Sequence, residues 1–572
     1  MAVNPTPTKI RLENSGKNKS NLFQNIIKRK SPDALIKSAK KNALNKTLGA
    51  FDLVVLGVGA VIGAGIFALA GTAAAGGGEH IGAGPALTVS LILAAIACSF
   101  AALCYAEFAA MIPVAGSAFT YTYATLGEFA AWFIGWMLVL EYIIGNIAVV
   151  SSWSGYLMNF LKGFENVLPA YITNPPIWLV RNYSAAAEEY SKIGVAKFVD
   201  FLEAKYTALG LNPDSIKETF TSFNFDVAAF SPEVFQRMGF NNAEMLLDHT
   251  AQIPHLWGIP LAIDIPAILI MAAITYLLYK GIQESAKMTL IMVIVKTLVI
   301  LLFIGVGSFY VSPENWTPFA PNGMKGIFVG AYLMFFAYIG FDAVSTAAEE
   351  TKNPAKDMPI GIIGSLIICT ILYIGVIGIL TGMVPLSQID VHAPIAAAMT
   401  TINQPFIAFL ISIGALAGLT SVLLVLQLGG TRILYAMSRD KLLPPIFSKI
   451  HQKFRTPHIN TILVGLVVAL ATFVLDINAA AELCNIGTFT AFMIVCAGII
   501  ILRKIDPDRE RPFRVPFVPI VPILGIITCL ILVILGLPTI KTLIIFGLWV
   551  AIGAVIYFSY GYKHSELQNS GE

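Results

Sequence analysis

Twelve mainly apolar stretches, most of them long enough to cross a bilayer at roughly 18 to 25 residues each, constrain this chain more than any other feature. They lie near 48–72, 85–111, 127–161, 264–281, 286–310, 325–349, 359–383, 406–437, 459–476, 480–503, 517–537 and 541–562. Inside hydrocarbon each backbone N–H and C=O must find a protein partner, so stretches of this kind have to be helices. Charged residues make up 12% of the 572 residues, and mean hydropathy is +0.76. A soluble domain carries about 25% charged residues. The chain therefore reads as an all-α integral membrane protein with twelve transmembrane helices, the third and eighth long enough to tilt.

The basic residues give an orientation. Residues 1–45 form a polar arm, unlike a secretory signal, and with Lys46 they carry eleven Lys and Arg against Glu13 and Asp33. Loops on the same side hold Lys280, Lys287, Lys352, Lys356, Arg439, Lys441, Lys449, Lys453, Arg455, Arg503, Lys504, Arg509, Arg511 and Arg514. The opposite stretches 76–84, 308–324 and 384–405 hold none. Positive charge stays in the cytoplasm, so both termini are expected there, and the arm is expected to touch the membrane surface electrostatically. The six cysteines all fall in apolar stretches and imply neither disulfides nor a metal site. The domain reading is an arm over 1–45, helices one to three over 46–173, an exterior insertion over 174–258, helices four to twelve over 259–563 and a tail over 564–572.

In the insertion, Val195, Val199, Leu202, Tyr206 and Leu209 share one face of a helix. Ser231-Pro232-Glu233 reads as a capped helix start. A tolerated surface insertion is favoured over a ligand-handling cap. His249 and His255 would lie on different faces of a helix, which argues against a metal site. Asn182-Tyr183-Ser184 is a glycosylation sequon that matters only in a eukaryotic host.

The first apolar stretch contains "GVGAVIGAGIF" (57–67), with Gly57, Gly59, Gly63 and Gly65. The spacing differs from the dinucleotide fingerprint, and no strand precedes it. Small residues can let helices approach closely, as Gly59-x-x-x-Gly63 would. They can also mark a helix interrupted at mid-membrane, and broken helices at matching positions of two repeats point to a transporter site. A match occurs five spans later in "FFAYIGFDAVS" (335–345), where Gly340 and Asp342 interrupt span six. Inverted five-plus-five repeats follow from that pairing. A helix break offers N–H groups to a carboxylate and carbonyls to an ammonium, so a small zwitterion such as an α-amino acid suits both.

Charges inside spans are functional candidates. Lys296 lies near the middle of span five, too deep to snorkel easily. It can carry a proton, or stand as a fixed cation where sodium would sit. Glu141, mid-span in helix three, is either a pocket carboxylate or a buried partner that orders helices. Glu107 and Asp52 read as packing or gate anchors.

The segments "LGAFDLVVLGVGAVIGAGIFALAGTAA" (48–74), "CYAEFAAMIPVAGSAFTYTYATLGE" (104–128), "FFAYIGFDAVSTAAEETKNPAKDMPIGI" (335–362) and "RILYAMSRDKLLP" (432–444) closely resemble the cationic amino acid transporter family. That family belongs to the amino acid–polyamine–organocation superfamily. The resemblance covers nearly all of the chain apart from the arm and the insertion. It implies a leucine-transporter-like fold with broken helices one and six, and alternating access. It also implies that the substrate carboxylate meets amides at Gly63, Ala64 and Gly65, and the ammonium meets carbonyls near Val61, Phe336, Ala337 and Ile339. By the same resemblance Glu141 lies near the pocket, Thr420 in "GALAGLTSVLL" (414–424) borders the substrate side chain, and Lys296 replaces sodium and suggests proton coupling.

The expected activity is therefore L-amino acid transport by proton symport in a cell membrane, with exchange as the nearest rival. Sodium coupling through Thr420 and Ser421 is disfavoured beside Lys296, since two cations would compete for one small site. A non-transporting amino acid sensor is the rival from another class. No nucleophile–base pair, metal cluster or nucleotide loop supports an enzyme, and no cofactor is expected.

Overall fold

The computed structural model describes residues 28–33, 35–36, 46–77, 80–114, 116–208, 253–257, 259–281 and 286–565. Helix α1 (Ala50–Val61) starts where the Asp52 carboxylate accepts the Gly49 N–H at 2.9 Å. It stops at Val61, and the chain resumes as one π-turn, Gly65–Leu69, leading into α2 (Ala70–Ala75). The two halves meet at 42°. Next come α3 (Leu87–Met111), α4 (Ser117–Thr125) and α5 (Glu128–Lys162). The insertion contributes α6 (Tyr183–Ala208) and two short antiparallel strands, β1 (His255–Leu256) and β2 (Ile259–Pro260). The chain continues through α7 (Ile265–Lys280), α8 (Ala286–Gly307), α9 (Gly323–Phe335) and α10 (Pro354–Met383). It ends in α11 (Pro394–Thr401), α12 (Pro405–Arg439), α13 (His458–Ala471), α14 (Ile477–Ile505), α15 (Ile520–Leu535) and α16 (Ile540–Ile556).

Among the described residues eight helices are long and apolar enough to cross a membrane, nine if the bent pair counts as one span. Three more, α7, α13 and α15, are apolar but shorter. The span read near 459–476 is present as α13, whose helix ends at Ala471. The next helix begins at Ile477, where Asp476 caps it by accepting from the Asn478 and Ala479 N–H groups at 2.9 Å each. Leu209, Ser231-Pro232-Glu233 and His249 lie outside the described residues. His255 stands in a strand, not on a helix.

Burial divides the bundle into a centre and a rim. The most apolar window of α5 is 94% buried, that of α16 only 17%. A helix apolar on all sides can pack against protein or lipid, and here α5 is the central post, gripped by α12 and α14. On another side, α10 packs against α1 and α3.

Buried carboxylates fasten the ends of this bundle. Glu107, fully buried on α3, takes two bonds from Arg503 at 3.1 and 2.6 Å and one from the Val515 N–H at 2.7 Å. Arg511 stands 3.5 Å away. Glu482 on α14 accepts from the Thr539 and Thr542 hydroxyls at 2.9 and 2.6 Å, with His80 at 3.5 Å. Part of the basic arm is held by protein: Lys30 pairs with Asp440 at 3.0 Å, and Asp33 with Arg509 at 2.9 Å.

Asn182 of the sequon is buried and occupied. Its Oδ1 accepts the Ala185 N–H at 2.9 Å at the start of α6, and its Nδ2 donates to the Leu475 carbonyl at 2.8 Å. A glycan there would require the side chain to be pulled out of the fold.

Glu107→Ala leaves two guanidinium groups without their counter-charge. Breaking a buried pair in this way costs about 3 kcal/mol or more, so the variant is expected to unfold at a clearly lower temperature in detergent, whereas wild-type stability in Glu107→Ala would contradict the anchoring role.

Candidate functional site

The break in α1 falls at Ile62, whose backbone is extended with ψ near 100°. Its counterpart follows α9. One 3₁₀ turn (Phe336–Tyr338) leads to Ile339 at ψ 133°, then to Gly340 at φ +117°, and the chain continues as 3₁₀ helix over Phe341–Glu350. Only glycine takes that φ without strain. The two breaks touch. A Cβ on Gly65 would sit 2.3 Å from the Ala337 Cα, and one on Gly340 would sit 2.9 Å from the Ala60 carbonyl carbon.

The first-helix glycines serve close approach. None of Gly57, Gly59, Gly63 and Gly65 has a positive φ. Gly57 lies against Ser365 and Val344, Gly59 against Val293, and Gly63 against Val422. Small residues thus let four neighbouring segments press on the break, and the unwinding itself is confined to Ile62 and Gly63.

The carbonyls freed at this break have side-chain donors. Lys296, fully buried on α8, donates to the Gly59 carbonyl and, at 3.0 Å, to the Ile62 carbonyl. A cation suits the carboxyl end of a half-helix. Its methylenes cross Gly418 of α12, where a Cβ would meet them at 3.1 Å. Tyr373 on α10 stands with its hydroxyl 2.9 Å from both the Val61 and the Ala337 carbonyls. One phenolic proton serves one acceptor at a time, so this hydroxyl bridges the two broken helices with one donor for two carbonyls. Tyr156 on α5 donates to the Phe67 carbonyl at 2.6 Å in the π-turn.

The other expected residues fall around this centre. Val61, Gly63, Ala64, Gly65, Phe336, Ala337 and Ile339 are all buried at the two breaks. At a helix start the first N–H groups lack intrahelical partners, which places the amides of Gly63, Ala64 and Gly65 at the mouth of the second half-helix. Glu141 on α5 accepts from the Thr488 hydroxyl of α14 at 2.7 Å and lies within electrostatic reach of Asp342. It ties two helices together. Beside it, the buried Asp342 Oδ2 and the hydroxyls of Tyr105, Tyr121 and Ser345 have no hydrogen-bond partner among the described residues. Thr420 on α12 is engaged from α5, accepting from the Trp153 Nε1–H at 3.0 Å and donating to the Leu416 carbonyl at 2.7 Å.

Tyr373 and Tyr156 were missed in the sequence. Each sits in an apolar helix where an aromatic reads as packing. The available signal was the hydroxyl itself, because a buried tyrosine usually needs a partner.

The amino acid permease family model matches residues 48–559, a range that includes both breaks, Lys296 and Tyr373. The chain belongs to that family. The branched-chain amino acid permease of Bacillus subtilis is 43% identical to it, over 95% of this chain and 99% of that protein. The methylthioribose transporter of the same organism is 39% identical, over 95% of this chain and 100% of its own. Cationic amino acid transporter 9 of Arabidopsis thaliana, a chloroplastic protein, is 34% identical over 85% of this chain and 71% of its own. The permease is thus a multi-pass transporter of the superfamily that its motifs resemble, and not an enzyme.

Two substitutions test the packing at the break of this permease. Gly65→Ala pushes a methyl into the Ala337 backbone and should abolish uptake, whereas Gly305→Ala, with nothing within 4 Å, should leave it unchanged. Tyr373→Phe strips the donor from two buried carbonyls and should cost about 1–3 kcal/mol, read as a lower unfolding temperature; equal stability would remove Tyr373 from the site.

Proposed function

We propose that this permease is a secondary active transporter of L-amino acids that works by alternating access, with proton symport as its driving reaction. The observation that carries the reading is the meeting of two helix breaks around one hydroxyl, with a buried lysine holding the carbonyl end of the first. The amides of Gly63, Ala64 and Gly65 receive the substrate carboxylate, as a helix start receives an anion. The ammonium, with three donors, goes to the carbonyls of Val61, Phe336, Ala337 and Ile339, where Tyr373 supplies one donor in its absence. Glu141 flanks the pocket and Thr420 borders the substrate side chain.

Lys296 is the proposed coupling residue. A charged ammonium makes stronger hydrogen bonds to the Gly59 and Ile62 carbonyls than a neutral amine does. Its protonation and the shape of the first break are therefore linked. In the architecture proposed here α7, α13 and α15 complete twelve spans, ten of them in two inverted repeats. The basic side is cytoplasmic and carries both termini.

A lysine that stays charged throughout the cycle, holding both carbonyls, gives exchange instead. Proteoliposome uptake separates these readings, using labelled leucine, arginine and methylthioribose with and without an inward proton gradient. Gradient-driven uptake of an amino acid that disappears in Lys296→Ala supports symport. Counterflow indifferent to pH indicates an exchanger, binding without flux indicates a sensor, and uptake of methylthioribose alone overturns the amino acid assignment.

A further inference from the structure

On its exposed side, α10 presents one stripe at helical spacing: Lys356, Ile360, Ile363 with Gly364, and Ile367. Together with Phe513 from the segment after α14, the stripe lines a cavity of about 630 Å³. Lys356, Ile360 and Ile367 are exposed, so the cavity opens outward along the helix. Lys356 stands near one end, and the apolar wall runs about 16 Å along the helix from it at 1.5 Å per residue. The neighbouring carboxylate is engaged elsewhere: Asp357 Oδ2 accepts the Asn353 N–H at 3.3 Å. The first turn of α10 adds the positive end of a 30-residue helix. Arg511 and Arg514 flank Phe513 in sequence; Arg511 is committed to Glu107, and Arg514 is exposed.

We propose that this groove binds an anionic phospholipid, its phosphate on Lys356 and an acyl chain along Ile360, Ile363 and Ile367. A basic end over an apolar shaft matches the two parts of such a molecule, and basic pockets between membrane helices hold acidic headgroups. Placing the headgroup in the inner leaflet rests on the orientation proposed above. The helix that walls the groove also packs on the broken helix: a Cβ on Gly364 would lie 3.1 Å from Val54 of α1. Occupancy then bears on how freely α1 moves.

Native mass spectrometry of the purified full chain in detergent tests this with added dioleoyl phosphatidylglycerol or dioleoyl phosphatidylcholine. The wild type should retain the phosphatidylglycerol preferentially. Lys356→Ala should weaken that retention roughly fivefold, the value of one lysine near an anionic headgroup, and Lys356→Arg should keep it. Lys352→Ala, exposed and off the stripe, should behave as wild type. Lys356 is solvent-exposed, so its replacement leaves the packing alone. Absent or equal retention of the two lipids by the wild type, full retention by Lys356→Ala, or an equal loss in Lys352→Ala would overturn the site. The readout is a mass, so it stands or falls independently of what the permease carries.

Discussion

A helix interrupted within a bilayer frees backbone groups that water cannot reach, and each must find a partner in the protein. In this permease that requirement organises the centre of the fold. Lys296 takes the Gly59 and Ile62 carbonyls, Tyr373 stands between the Val61 and Ala337 carbonyls, and Tyr156 takes that of Phe67. Three donors from α8, α10 and α5 thus converge on one helix. The surrounding packing follows from bringing them there: α12 needs Gly418 to let the lysine pass, and the first helix needs glycines wherever a neighbour crosses it.

The same constraint links stability to function. The Gly59 and Ile62 carbonyls are held by the lysine, whereas one Tyr373 proton serves the Val61 and Ala337 carbonyls in turn, so in the proposed cycle a substrate ammonium supplies a donor where one is short. The firmly bonded carboxylates stand elsewhere. Glu107 and Glu482 are surrounded by donors and tie helix ends to loops, whereas Asp342 keeps one buried oxygen without a hydrogen-bond partner among the described residues.

Local features of the sequence located the main elements. The glycine run marked the break that bends by 42°, Gly340 marked its counterpart, and Lys296 stood out as a charge in an apolar stretch. What could not be read was distance-dependent. The glycines suggested unwinding, yet their contacts show close approach, because the atoms that exclude a Cβ come from Ser365, Val293, Val422 and Ala337, far along the chain. The bond that ties Glu141 to Thr488 spans 347 residues of chain, and the two hydrogen bonds that occupy Asn182 reach Ala185 and the distant Leu475.

In the proposed mechanism the paired breaks recognise both charged ends of an amino acid. Calorimetric binding of leucine, N-acetyl-leucine and leucinamide to the purified permease tests it most directly. Removing either charge forfeits charge-assisted hydrogen bonds to the backbone, so each derivative should bind more weakly by about tenfold or more. Equal binding of leucinamide would deny the carboxylate its place at Gly63–Gly65, and equal binding of N-acetyl-leucine would deny the ammonium its place at Val61 and Ala337.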